Sequence, residues 1–257
     1  MNAKDNLTAF LTLLRKEIDR ITRIWPQTLL PPVITMSLYF VIFGNLIGSR
    51  IGQMDGFSYI EYIVPGLIMM SVVTNSYANV VSSFFGAKFG KHIEELIVSP
   101  MPAYLILLGY MAGGCFRGLL VGLIVTGVSM FFTDLQVHNL GITFSVLLLT
   151  SMLFSLGGFV NATFANKFDD ISIVPTFILT PLTYLGGVFY SIKMLPDFWQ
   201  TVSHFNPMLY IVNAFRFGIL GVSDINAYLA LSLIALLTVL MFCLCLWMLN
   251  RGIGIRS

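Results

Sequence analysis

The residues able to do chemistry are few and scattered. His92, His138 and His204 are far apart, and no two stand at metal-ligand spacing. Cys115, Cys243 and Cys245 all fall inside apolar runs, where a thiol packs as a small hydrophobe, so neither a disulfide framework nor a metal site follows. No stretch reads Gly-x-x-x-x-Gly-Lys-Ser/Thr, the loop whose backbone amides cradle phosphates. The long apolar runs hold no paired carboxylates, no His-x-x-Glu-His cluster and no nucleophile beside a base, which makes an intramembrane enzyme the weakest functional class. A carrier driven by protons or sodium needs ionisable groups at mid-depth of such runs, and no acid stands there.

What the apolar runs do contain is uncharged polarity: Ser71, Thr74, Asn75, Tyr77, Asn79, Asn161 and Thr180. Such side chains supply hydrogen bonds without charge and favour an amphipathic or lipid-linked cargo over an ion. Arg117, in GGCFRGLL, is the only Lys or Arg inside one of these runs. Facing lipid near the bilayer centre it would cost a few kcal/mol. Two readings stay open for it, a pairing or snorkelling role and the lining of a cargo path together with Asn75 and Asn79.

The elements that must position these residues follow from composition. Of 257 residues, 57% are hydrophobic and 10% charged, with a mean hydropathy of +0.87. A soluble domain carries about 25% charged residues, so lipid must be the solvent for much of this surface. Crossing the hydrocarbon takes about 20 apolar residues. Six runs qualify, near Gln27–Gly48, Tyr62–Phe85, Tyr104–Phe132, Leu140–Phe164, Ile171–Tyr190 and Ala227–Leu249. They are continuously apolar, not alternating, which predicts an all-α integral membrane protein and not a barrel. The first residues offer no short apolar region followed by a small-residue cleavage site, so insertion is expected to depend on the first span.

Basic residues set the expected orientation. With both termini inside, the inner segments hold Lys4, Arg15, Lys16, Arg20, Arg23, Lys88, Lys91, Lys167, Arg251 and Arg256, against Arg50, Lys193 and Arg216 outside. Both ends are therefore expected to be cytoplasmic. Before the first span, Leu7, Phe10, Leu11, Leu14, Ile18, Ile21 and Trp25 recur at helical spacing, with Arg15, Lys16, Asp19, Arg20 and Arg23 on other faces. Residues 1–25 thus read as a basic amphipathic helix lying in the interface. Pro26, Pro31 and Pro32 predict a break near the entry of span one; Pro65, Pro175 and Pro181 predict bends in spans two and five. Glu61 and Asp55 mark a membrane boundary. The Gly113, Gly114, Gly118 and Gly122 row, with Gly157-Gly158 and Gly186-Gly187, predicts close helix packing.

Two segments are not plain loops. Between spans two and three (86–102), Lys91, His92, Glu94 and Glu95 precede apolar Leu96-Ile97-Val98 and then Pro100, which reads as a short surface helix stopped by proline. It is a contact for a cytoplasmic partner or a solvated connector. The turn Lys167-Phe168-Asp169-Asp170 leaves the same choice. Between spans five and six (191–221), Pro196, Trp199, Pro207, Tyr210 and Arg216 stand in a stretch too polar and broken to cross, yet rich in aromatics suited to an interface. An outer re-entrant or interfacial helical hairpin fits best.

The run from Leu179 to Arg216 resembles the signature of ABC-2 type permeases. Leu179, Leu182, Leu185, Gly186 and Val188 match its spacing, followed by Leu195-Pro196, ten further residues, Pro207-Met208, Tyr210 and Arg216. Glu94 to Pro100 with Gly109 looks like the family's coupling-helix pattern, and the N-terminal amphipathic helix like its connecting helix. The likeness covers essentially the whole chain, residues 1–25 as connecting helix and 26–257 as transmembrane domain. It implies the permease subunit of an ATP-driven exporter in the bacterial inner membrane, a homodimer bound to two copies of a separate ATPase. ATP and Mg are then expected on that partner, with no cofactor, metal or catalytic residue on this chain and no nucleic-acid partner. Lys91, His92, Glu94, Glu95 and Pro100 become the expected ATPase-coupling residues.

Overall fold

The computed structural model describes residues 2–254; Arg256, counted above among the inner basic residues, lies outside them. Helix α1 (Ala3–Arg23) turns at Ile24 into α2 (Trp25–Tyr39). The expected break falls at that turn. Pro26 sits in the first turn of α2, where its missing N–H costs nothing. Pro31 and Pro32 are carried inside α2, and the irregularity comes later, as a π-helix over Phe40–Ile47 that leads into α3 (Gly48–Ile51). A small hairpin follows, β1 (Gln53–Met54) against β2 (Phe57–Ser58). Its turn uses Asp55 at φ 48° and Gly56 at φ 85°, the two left-handed positions a two-residue hairpin requires. This hairpin is the exception to an otherwise helical chain.

Ser58 opens α4 (Tyr59–Phe89). Glu61 reaches back to accept from the Ser58 N–H at 2.8 Å, so this acid, expected as a boundary marker, closes a capping box. Then come α5 (His92–Val98), α6 (Ala103–Ser129) and α7 (Leu140–Phe164). Helix α12 (Ala227–Arg251) ends the described chain. Among the described residues five helical stretches, Trp25–Ile51, α4, α6, α7 and α12, are long and apolar enough to cross a membrane.

The fifth expected run is helical only over 170–184, too short to cross as one straight helix. It is divided into α8 (Asp170–Val174), a π-turn over Pro175–Leu179, and α9 (Thr180–Tyr184), each of five residues. Turns then occupy 185–190, with Gly187 at φ 75°. Pro175 and Pro181 remove two backbone donors and the left-handed glycine ends the helix, which is why the run shortens. Asp170, in the first turn, ties down the preceding turn, its carboxylate accepting from the N–H groups of Asn166 at 2.8 Å and Lys167 at 3.0 Å. Beyond a 3-10 turn at Ile192–Met194, α10 (Asp197–His204) and α11 (Pro207–Leu220) make a tight helical pair.

Helix α4 is the axis of the bundle, with α6, α7 and α11 against it, α1 on α6, and α12 on α7 and α11. The approach of α6 to α4 depends on its glycine row. Gly114, Gly118 and Gly122 lie over Val80, Ser76 and Val72, and a Cβ on Gly122 would come 2.8 Å from Val72 Cγ2. Phe84, Tyr110 and Phe159 lock α4, α6 and α7 together, with Phe84 and Phe159 ring centres 4.3 Å apart. Lys88 ties α4 to the last turn of α7, donating to the Thr163 carbonyl at 2.6 Å and the Ala165 carbonyl at 2.8 Å.

Candidate functional site

Three places gather the residues singled out by sequence. At the end of the bundle that carries α1, the chain leaves α4 through Gly90 and Lys91, whose φ of 60° is a left-handed reversal that launches α5. Glu94 and Glu95 fall in the first turn of α5, where the helix dipole favours acids. Only Ile93 of this helix is fully buried, with half-buried Leu96 packed against the same core, so α5 is pinned by few side chains. Lys91, His92, Glu94, Glu95 and Pro100 are all exposed, and so are apolar Ile97 and Val98. Between α5 and α1 runs a groove of about 630 Å³, walled by Thr8, Thr12 and Lys16 on one side and His92, Glu95 and Pro100 on the other. The two helices thus offer one continuous surface.

The apolar stripe of α1 and the side docked on the bundle meet at Ile21. Leu7 (59% exposed) and Leu11 (50%) face outward, while the docked stripe is Leu13, Glu17 and Ile21. Gly109 and Gly113 of α6 provide the seat: a Cβ on Gly113 would lie 2.7 Å from Glu17 Cβ. Glu17 is fully buried, and a buried carboxylate persists only when paired and hydrogen-bonded. Its Oε1 accepts from Ser83 Oγ at 2.6 Å and its Oε2 from Arg20 Nη2 at 3.2 Å. Arg20 continues to α4, donating to Asn79 Oδ1 at 2.7 Å and to Ser82 Oγ at 3.2 Å. Glu17 and Arg20 therefore weld α1 to α4. Sequence reading passed over Glu17; the signal is an acid between Leu13 and Ile21 at four-residue steps, meaningful only beside the glycine pair on α6.

One turn along α4 from Asn79, Asn75 accepts from Arg117 Nη2 at 3.0 Å. Arg117 lies near the midpoint of α6, not toward the α1 end. Asn75 and Asn79 are buried and Arg117 is half-buried. Beside them α4 keeps one open edge, exposed at Thr74 and Ser82 and half-buried at Ala78, residues four apart on one face. Across it lie Thr180 and Thr183 of the broken segment, with a small cavity of about 80 Å³ between.

At the opposite end, Asn206 holds the α10–α11 turn, accepting from the Met208 N–H at 2.9 Å and donating to the Leu182 carbonyl at 2.6 Å. Pro196 and Pro207 stand at the starts of α10 and α11. Trp199 is 44% exposed, and Tyr210 donates to the His204 carbonyl at 2.8 Å. Arg216 departs most from the sequence picture. Instead of punctuating a polar loop it is fully buried, stacked on the Tyr62 ring at 4.0 Å and donating to the carbonyls of Gly187 at 2.7 Å and Tyr62 at 3.3 Å. Helix α11 is correspondingly packed into the bundle against α4, α7 and α12. No group of metal-ligating residues occurs among the described residues.

Comparison with known proteins places this geometry. The sequence model of the ABC-2 type transporters matches residues 8–220. The inner membrane transport permease YadH of Escherichia coli K12 is 57% identical over 249 residues, 97% of each chain. Nodulation protein J of Rhizobium leguminosarum bv. viciae is 25% identical over 218 residues, 83% of each chain.

Proposed function

Since the chain belongs to the ABC-2 type transporter family, we propose that it is the membrane subunit of an ATP-driven exporter, working as a homodimer with two copies of a separate ATPase. As a member of that family it is a multi-pass inner-membrane transport permease. ATP and Mg bind the partner in this reading, and the present chain converts the partner's motion into an opening of the cargo path.

The observation that carries the reading is the α1–α5 surface. Charged Lys91, Glu94 and Glu95 stand beside exposed Ile97 and Val98, on a short helix held mainly by Ile93 and Leu96. Exposed apolar side chains rimmed by charge mark an interaction face. Force applied to α5 and α1 has a direct route inward, because Glu17 and Arg20 bind α1 to Ser83, Asn79 and Ser82 of α4. The excess of basic residues at this end supports both termini being cytoplasmic. The segment 171–190 then counts as a sixth crossing, and α10–α11 as a re-entrant pair on the outer side. The open edge of α4 with Asn75, Arg117 and Thr180 close by lines the path.

Variants Glu94→Ala and Glu95→Ala test this in the reconstituted complex. Basal and cargo-stimulated ATP turnover should change severalfold in at least one. Unchanged turnover in both removes α5 from the coupling route.

A further inference from the structure

Arg117 is a cation with no anion. Among the described residues no carboxylate lies within ion-pair distance of it. It makes one hydrogen bond, to Asn75, and its Nε, shut off from water, has no acceptor. The only acid among the described buried residues, Glu17, is already committed to Ser83 and Arg20. Arg20 and Arg117 therefore flank the Asn75–Asn79 turn with two positive charges against one negative. The unsatisfied charge sits near mid-span, where an ionised side chain is costly unless something neutralises it.

Arg117 is itself only half-buried, and Asn75, its partner, sits one residue from Thr74 and three from Ala78, which line a small cavity of about 80 Å³ with Thr180 and Thr183. The edge of α4 next to it carries only small or hydroxylated side chains, Thr74, Ala78 and Ser82, and Ser82 Oγ is itself bonded to Arg20. A guanidinium presents a planar fork of donors that fits a phosphate or carboxylate in paired hydrogen bonds. A neutral head group would leave the charge as it is, and a cationic one would be repelled.

We propose that Arg117, presented by Asn75, binds the anionic head group of an amphiphile, a phosphate or carboxylate carried on an apolar tail. That the bound molecule is cargo rests on the exporter reading; that it binds does not. The apolar tail follows from the depth of the site, since a free anion would have to leave water entirely to reach it.

Binding of dodecyl phosphate to the purified full-length chain in dodecyl maltoside micelles, followed by native mass spectrometry, tests the assignment. Wild-type chain and Arg15→Gln, whose side chain is 85% exposed, should bind it equally. Arg117→Gln and Asn75→Asp should each bind at least tenfold more weakly. The second variant keeps the guanidinium and supplies an internal counter-ion at nearly the same shape, so it decides the matter if Arg117→Gln fails to fold. Equal binding by wild type and the variants that fold overturns the proposal. Displacement of dodecyl phosphate by equimolar inorganic phosphate overturns the amphiphile assignment. Absence of an ATPase partner would defeat the exporter reading and leave this measurement standing.

Discussion

Arg216 and Arg117 are both guanidinium groups carried into apolar surroundings, and the chain treats them in opposite ways. Arg216 is sealed: it lies on the Tyr62 ring, bonds the carbonyls of Tyr62 and Gly187, and meets no solvent. It joins α4, α11 and the turn after α9 into one block. Arg117 is half-open, holds one amide and keeps its charge unanswered. Arg216 keeps one nitrogen, Nη1, without an acceptor, yet has two fixed carbonyls and an aromatic face and serves as a clamp; Arg117 has a single amide and no ring, and serves as a docking point. Burial alone does not separate the two; the count of fixed acceptors does.

The sharpest break of this comparison is a matched pair. Arg216→Met should lower the stability of the purified chain by about 3 kcal/mol, since it strands buried carbonyls and removes a stacked cation. Arg117→Met should leave thermal unfolding unchanged or raise its midpoint, because it deletes an uncompensated charge. Equal losses in both variants would erase the distinction between clamp and docking point.

A smaller effect probes the other buried charge. Glu17→Ala should cost about 2 kcal/mol, leaving Arg20 and Ser83 short of a partner. It should also loosen α1, read as faster amide exchange over α1 with α12 unaffected. Unchanged exchange in α1 would show that Leu13 and Ile21 suffice to hold the helix. Lys88→Met should cost about 1 kcal/mol by uncapping the Thr163 and Ala165 carbonyls at the end of α7; a loss of zero in thermal unfolding would mean water replaces the cap.

The smallest effect is one of pH. Two backbone N–H donors, from Asn166 and Lys167, hold the Asp170 carboxyl below its ordinary range. The stabilisation they give is complete above the unfolded value, about 3.9, and is lost as pH falls through the lower folded value. Asp170→Asn should therefore flatten the decline in unfolding temperature below about pH 4. An identical decline in wild type and variant would contradict it.

Spans one to four and six were legible because continuous apolar runs of sufficient length have one outcome in lipid. The fifth run was equally apolar, and its prolines were visible, yet hydropathy carries no record of where Pro175, Pro181 and left-handed Gly187 stop the helix. The β-hairpin was not expected: Asp55 was read only as a boundary marker, although Asp-Gly is a dipeptide suited to its turn. The sites were less legible than the fold for a consistent reason. Glu17 and Arg216 owe their places to partners on other helices, the Gly109–Gly113 seat and the carbonyls of Tyr62 and Gly187, and backbone acceptors leave no mark in sequence. The stripe of Leu7 and Leu11 was real but belongs to the open side of α1, one face away from the docked one.

The central claim is that this permease draws its power from a separate nucleotide-hydrolysing chain seated on α1 and α5. Affinity isolation of the full chain from its native host in mild detergent tests this most directly. We predict an ATPase polypeptide retained in equal molar amount and lost when Ile97 and Val98 are both replaced by Asp. Recovery of the chain alone, able to move cargo under an ion gradient without nucleotide, would contradict the account.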